Sequence, residues 1–237
     1  DVQKPYNEKP PALELRRIGR ILSDFPEKFG IPRQSGMVEE LEALVVFEPE
    51  YRRPEALRGL EEYSHIWLLW EFSEARREEW SPTVRPPRLG GNTRMGVFAT
   101  RSPFRPNPIG LSSVRLEGVE KHPDYGMALR VRGADLMNGT PILDIKPYLP
   151  HVDCHPQASG GFAGRFEHYG LQVEIPEKWL SMVPEGKRRA LFGVLSNDPR
   201  PAYQKDPERI YAMSFAGMTV RFCVCGDRLT VCEILRQ

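Results

Sequence analysis

"RSPFRPNPIGLSSVRLEGVEK", Arg101 to Lys121, joins two kinds of chain. Its first half holds Pro103, Pro106 and Pro108, two arginines, Asn107 and a closing Gly110. Proline fixes φ and removes a backbone donor, so this half is a stiff loop. Gly110 lets the chain turn out of it, and Leu111 to Lys121 reads as strand. The pattern of strand and rigid loop repeats on both sides. Upstream, "HIWLLWEFS" (residues 65–73) is a short apolar run with two tryptophans, a buried strand. "ELEALVVFEPEY" (40–51) is a strand ended by Pro49, and "RPEALRGLEEY" (53–63) is a short helix with Pro54 in its first turn. "MGVFAT" (95–100) predicts a strand entering the loop. Downstream, "MALRVRGADL" (127–136) alternates around Arg130 and Arg132, and Asn138-Gly139 signals a turn before "TPILDIKPYLP". Near the start, "ALELRRIGRILSDF" (12–25) fits strand or helix, and Gly19 favours strand. Many short strands with one short helix predict a β-barrel or sandwich as far as about Pro150.

Composition then shifts. "HVDCHPQASGGFAGRFEHYG" (151–170) is rich in Gly, Ser and His and reads as a linker. "PEKWLSMVPEGKRRALFGVLSNDP" (176–199) reads as helix broken near Pro184, and "MTVRFCVCGDRLTVCEILRQ" (218–237) as a hairpin around Gly226-Asp227. The expected organisation is a β domain over 13–150, a linker over 151–170, and a small α+β unit over 171–237.

The 237 residues are 40% hydrophobic and 27% charged, which are globular values. No run approaches the ~18 apolar residues of a membrane span, and no apolar leader is visible at the start. Four cysteines are too few for a disulfide scaffold, so a reducing, cytoplasmic setting is expected. Net charge is only +1, but its distribution is uneven. Glu39 to Glu79 holds twelve acids against five arginines. Trp80 to Leu116 holds six arginines (Arg85, Arg88, Arg94, Arg101, Arg105, Arg115) and no acid, lysine or histidine. Arginine without lysine favours bidentate recognition of phosphate or carboxylate. The plainer reading pairs these arginines with the neighbouring acids.

His151, Asp153, Cys154 and His155 are ligand-type residues, but adjacent Cys154 and His155 sit awkwardly for one tetrahedral ion, and no metal is expected. Cys223 and Cys225 face no second pair. Ser102, Ser112 and Ser113 have no histidine nearby and no G-x-S-x-G elbow. P-loop and G-x-G-x-x-G fingerprints are absent. What remains is a set of stiff loops: Ile31–Gly36, Arg88–Gly96, Arg101–Gly110 and Ala134–Pro150. Proline and glycine beside arginine preorganise cations for a ligand. With Phe98, Phe104, Tyr148, Tyr203 and Tyr211, they suit phosphate contact and base stacking on RNA, though each aromatic alone reads equally as core.

At these loops the chain closely resembles the bacterial tRNA methyltransferase O family, of the TsaA-like β-barrel type. The stretches that carry the resemblance are "EKFGIPRQSG", "RGLEEYSHIWLLW", "SPTVRPPRLGGNTRMGVFATRSPFRPNPIG", "LMNGTPILDIKPYLP" and "DPRPAYQKD" with "IYAMSF". Residues 151–196 carry none of them. The resemblance implies a mainly β fold with a single-sheet antiparallel β-barrel. It also implies a homodimer without a Rossmann domain, and S-adenosylmethionine-dependent methylation of N6 of threonylcarbamoyladenosine beside the tRNA anticodon. Carried over by residue, it implies a cofactor pocket of Pro32, Arg33, Gln34, His65, Ile66, Arg94 and the turn Asp135, Leu136, Met137, Asn138, Gly139, Thr140. Arg33 or Arg94 would serve the cofactor's carboxylate, and Asp135 its ribose or ammonium. His65 reads equally as a satisfied core histidine.

A threonylcarbamoyl group brings its own carboxylate. Arg101 or Arg105 would clamp it, Asn107 would hold the urea, and Asp144 or Lys146 would assist proton removal. Tyr148 is a further substrate contact. Arg200, Tyr203, Lys205 and Tyr211, helped by Lys187, Arg188 and Arg189, would grip the anticodon stem-loop, unless "DPRP" is a packing turn. Two other classes compete. A non-catalytic RNA- or anion-binding barrel would retain no S-adenosylmethionine. A zinc hydrolase built on His151, Cys154 and His155 would carry stoichiometric zinc.

Overall fold

In this computed structural model, residues 11–75, 79–89, 92–166, 170–201, 204 and 206–237 are described. The first part of the chain contributes eight strands: β1 (Gly19–Leu22), β2 (Glu42–Phe47), β3 (His65–Glu71), β4 (Thr83–Val84), β5 (Met95–Gly96), β6 (Ile109–His122), β7 (Gly126–Arg132) and β8 (Pro141–Pro147). Strands β4 and β5 pair only with each other. The other six hydrogen-bond in the order β1-β2-β7-β6-β3-β8, every pair antiparallel. Gly19 and Arg20 of β1 then pair with Ile142 and Pro141 of β8, which closes the barrel. Closure leaves no edge for these Val/Ile-rich strands to aggregate through.

Alternate residues point inward, as the strand repeat requires. Ile66, Leu68 and Trp70 of β3 meet Val114 and Leu116 of β6, Leu129 and Val131 of β7, and Ile21, Val45 and Ile142 in one core. Gly110 pairs with Trp70 across the β3–β6 ladder. A Cβ on Gly110 would lie 2.5 Å from indole Cδ2 and nearer still to two other ring atoms. The glycine is therefore required by the indole that lies over it, not by the turn that the sequence suggests.

A second sheet follows, with β9 (Gln172–Glu174), β10 (Tyr211–Phe215), β11 (Met218–Cys225) and β12 (Arg228–Arg236) ordered β10-β11-β12-β9. Four short helices accompany the strands: α1 (Pro54–Leu57), α2 (Pro150–Asp153), α3 (Glu177–Leu180) and α4 (Glu185–Ser196). Helix α4 buries Ala190, Leu191, Val194 and Leu195 against this sheet. The segment between β1 and β2 reaches into the same core: Phe25, Val38 and Leu41 pack there, and Gly30 (φ 97°) sits directly on Met213. Lys187 of α4 pairs with Asp24 at 2.6 Å. One loop of the barrel thus anchors the second sheet.

The elements differ from expectation in four places. Residues 97–99 form a 3-10 turn rather than a strand, because β5 finds a partner only in two-residue β4. Helix α1 stops at Leu57, before the left-handed Gly59 (φ 84°). Residues 11–18 form no strand, and Leu13 and Leu15 are exposed. Strands β9 and β10, absent from the sequence reading, complete the second sheet. The break at Pro184 stands between α3 and α4. Among the described residues no helix is long and apolar enough to cross a membrane.

Candidate active site

Where the end of β3 meets the start of β6, a cleft of about 610 Å³ opens. Pro32, Arg33 and Gln34 form one wall, Arg101, Arg105 and Asn107 a second, and Asp135 faces both. The arginine wall is held by its own turns. The Arg105 amide donates to the Pro103 carbonyl at 3.0 Å, and the Ile109 amide to Asn107 at 2.7 Å. Arg105 Nη1 donates to the Thr100 and Ser102 carbonyls at 3.0 and 3.4 Å. Arg101 Nη1 donates to Gln34 Oε1, which ties the two walls together. Neither arginine has a carboxylate within ion-pair distance among the described residues. The acidic block pairs elsewhere: Glu71 with Arg17 (2.9 Å), Glu74 with Lys28 (3.2 Å), Glu42 with Arg132 (3.0 Å). Arg115 of the arginine block pairs with Glu117, just beyond it.

Asp135 is the one carboxylate lining this cleft among the described residues. Ser112 Oγ donates to its Oδ1 at 2.6 Å, and Trp70 Nε1 donates to Ser112 Oγ at 3.0 Å. Burial raises the Asp135 carboxyl above the ordinary aspartate value, against the opposing pull of Ser112 and Arg101. Neither Trp70 nor Ser112 figures among the expected site residues. The signal was present: Ser112 is a polar residue at an inward position of β6, opposite Leu68, and is only 1% exposed. A buried hydroxyl requires a partner. That partner, rather than nucleophilic chemistry, is what Ser112 has.

A second cleft, about 560 Å³, lies on the other side of the 32–36 loop, where Ser35 and Gly36 face it. His65, Trp67, Arg115 and Tyr148 line it. His65 is exposed, with Nδ1 2.9 Å from Ser64 Oγ, so it is not a core histidine. Asp153 accepts from the Leu149 amide at 2.8 Å and Trp67 Nε1 at 2.9 Å, and these donors hold its carboxyl below the ordinary value.

Residues 20–154 match the family model of the tRNA-methyltransferase O N-terminal domain, and residues 171–237 that of the TrmO C-terminal domain. The chain belongs to the tRNA-methyltransferase O family. It is 42% identical to the Escherichia coli K12 protein named tRNA (adenine(37)-N6)-methyltransferase, over 90% of this chain and 94% of that one. An Eikenella corrodens protein of the same name is 48% identical over 68% of this chain and 90% of its own. The crystal structure of TrmO from Pseudomonas aeruginosa superposes with a TM-score of 0.78 at 34% identity, covering 97% and 99% of the two chains. The TrmO C-terminal match includes residues 171–196, which the sequence motifs had left unassigned.

Against this TrmO frame, the expected site residues divide. Pro32, Arg33, Gln34, Arg101, Arg105, Asn107 and Asp135 converge on the first cleft, and His65 and Tyr148 on the second. Ile66, Leu136 and Thr140 are buried; Ile66 and Leu136 belong to the barrel core and line neither cleft. Hydrogen bonds hold the rest of that turn in place. The Asn138 amide donates to the Phe25 carbonyl, Asn138 Oδ1 accepts from the Ser23 amide, the Gly139 amide donates to Ile21, and Thr140 Oγ1 donates to the Met137 carbonyl. Arg94 donates to Thr83 Oγ1 across the β4–β5 pair and lines neither cleft. Asp144 and Lys146 form an exposed ion pair at 3.2 Å on β8, also outside both clefts.

The tRNA-gripping assignments fail at two positions. Arg200 is 7% exposed, forked onto Asp198 at 2.8 and 2.9 Å, and its carbonyl accepts from Arg33 Nη2 at 3.3 Å. It is the packing turn. Tyr211 is buried and stacks with Phe29 and Phe222. Lys187 is taken by Asp24, and Arg188 Nε by the Val183 carbonyl. Tyr203 and Lys205 lie outside the described residues.

Proposed function

We propose that this chain is an S-adenosylmethionine-dependent methyltransferase acting on N6 of the adenosine at tRNA position 37, next to the anticodon, where that adenosine carries a threonylcarbamoyl group. One observation carries the reading. Two proline-fixed arginines, without carboxylate partners among the described residues, share a cleft with a desolvated aspartate. The names of the Escherichia coli and Eikenella relatives support it.

The cleft suits the cofactor's mixed chemistry. Arg33 offers a cation for a carboxylate, Gln34 an amide for ribose hydroxyls, and Phe72, Phe98 and Leu111 apolar surface for a purine. His65 extends the same wall past the 32–36 loop. An antiparallel barrel has no strand–glycine-loop–helix crossing, which agrees with the missing dinucleotide fingerprint. When bound, S-adenosylmethionine supplies an electrophilic methyl group. The chain's own part is to hold the base in line and to stabilise charge. Arg101 and Arg105 clamp the threonyl carboxylate and Asn107 holds the urea. Asp144 and Lys146 take no proton role, because they stand away from the cleft.

The finer features belong to the same proposal. Trp80, exposed and outside the cleft lining, stacks on the Phe98 ring at 6.3 Å, apolar area that a second copy would cover, so a homodimer is proposed. Four free cysteines agree with a reducing cytoplasm, where tRNA is found. The test is methyl transfer from labelled S-adenosylmethionine to tRNA with and without the threonylcarbamoyl group. The proposal expects transfer to the modified tRNA, sharply reduced in Arg105→Ala. Retention of no label would reduce the protein to a binding module, and an undiminished Arg105→Ala would remove the clamp.

A further inference from the structure

We infer that Asp135 is the proton acceptor of the proposed methyl transfer, and that Ser112 and Trp70 are its positioning residues. The inference rests on the function proposed above and goes beyond it in naming where the proton goes. An indole N–H can only donate, so Ser112 Oγ must accept from Trp70 Nε1 at 3.0 Å. The single Ser112 proton is then directed at Asp135 Oδ1, 2.6 Å away. Oδ1 is thereby held as an acceptor. In the ionised carboxylate Ser112 occupies Oδ1, and Oδ2 is the oxygen to which Ser112 makes no hydrogen bond. The direction of the relay is fixed inside the barrel, where Ser112 and Trp70 are both buried and the Trp70 ring packs on Phe72 at 4.2 Å.

The charges around Asp135 are few. Arg101 faces it from the proline loop, the Ser35 amide from the 32–36 loop, and Arg33 and Arg105 line the remaining walls. No histidine and no second carboxylate lines this cleft among the described residues. Burial makes the carboxyl more basic than an ordinary aspartate, the direction that favours a proton acceptor. The ureido N6–H is more acidic than an adenosine amine, so a carboxylate suffices. In the step, N6 loses its proton to Oδ2 as its electron pair forms the bond to the methyl carbon. The pair of the broken carbon–sulfur bond stays on sulfur, and Oδ2 returns the proton to water.

The test compares wild type, Asp135→Asn, Ser112→Ala and Ser112→Thr by single-turnover pH profiles, by calorimetric S-adenosylmethionine affinity, and by carbon NMR titration of the Asp135 carboxyl. Asp135→Asn should slow transfer by about 10²- to 10⁴-fold, with affinity kept within about threefold. Ser112→Ala removes a hydrogen bond to the ionised carboxylate, so the NMR titration and the acid limb of the rate profile should both move to higher pH. Ser112→Thr should restore both. An Asp135→Asn protein that transfers at the wild-type rate, or that loses affinity in step with rate, overturns the assignment. So does a Ser112→Ala titration that does not move. If Ser112→Ala does not fold, Asp135→Asn and Ser112→Thr still decide. A wild type that methylates no tRNA would sink the proposed function instead, while the NMR titration would still report on the relay.

Discussion

Replacing Gly110 with alanine tests the junction between loop, barrel and cleft. The new Cβ would lie 2.5 Å from Trp70 Cδ2 and closer to two further indole atoms, where real contacts need more than 3.0 Å. Trp70 cannot swing away freely: it is buried, ring-packed on Phe72 at 4.2 Å, and bonded to Ser112 at 3.0 Å. Overpacking of this kind costs about 1–3 kcal/mol, and losing the indole bond adds about 0.5–1.5 kcal/mol. The sum, roughly 1.5–4.5 kcal/mol, lowers Tm by about 3–18 °C at 2–4 °C per kcal/mol for a chain of this size. Calorimetry should show that drop, and near-UV circular dichroism should show a changed tryptophan signal. A Gly110→Ala protein that melts within about 1 °C of wild type would refute the packing argument, since even the lower bound of the overpacking range exceeds that.

Three further outcomes follow from the geometry. Arg200→Ala removes two charge-assisted hydrogen bonds from the buried Asp198 carboxylate and should destabilise by about 1.5–3 kcal/mol in urea melts, without weakening tRNA binding while the protein stays folded; weaker binding at full stability would restore a tRNA role. Tyr211→Phe removes a buried hydroxyl with no hydrogen-bond partner among the described residues, so Tm should hold or rise, and a loss above about 1 kcal/mol would contradict this. Asp135→Asn should raise Tm near neutral pH. The folded carboxyl binds its proton more tightly than the unfolded one, so its stabilising contribution is complete below the ordinary value of 3.8 and lost as pH rises through the folded value. The gain should therefore shrink as pH falls toward about 4, and a gain that grows with acid would reverse the assigned shift.

Much of this was legible in the sequence because the deciding signals were local. Proline and arginine in Arg101–Gly110 announced a rigid cationic wall without seeing its partner. The run at residues 65–71 announced β3 by its apolar continuity. What escaped depends on contacts between distant segments. Arg200 looked like a loose cation in a loop, yet Asp198 and Arg33 enclose it. Tyr211 and Phe29 are far apart in the chain and stack in one core. The turn Leu136–Thr140 carries a motif whose backbone, with the Asn138 side chain, holds it against Ser23 and Phe25. Strand β9 has three residues, too few for any period to emerge. Ser112 lay between: its inward register could be read, but its bond to Asp135 joins the barrel interior to a loop beyond β7.

The central claim is tested most directly by nucleoside mass spectrometry of tRNA incubated with the purified protein and methyl-labelled S-adenosylmethionine. The account predicts a single labelled methyl on N6 of the threonylcarbamoyladenosine at position 37, absent from tRNA lacking that modification. Label on another nucleoside, or equal label on unmodified adenosine at position 37, would contradict it.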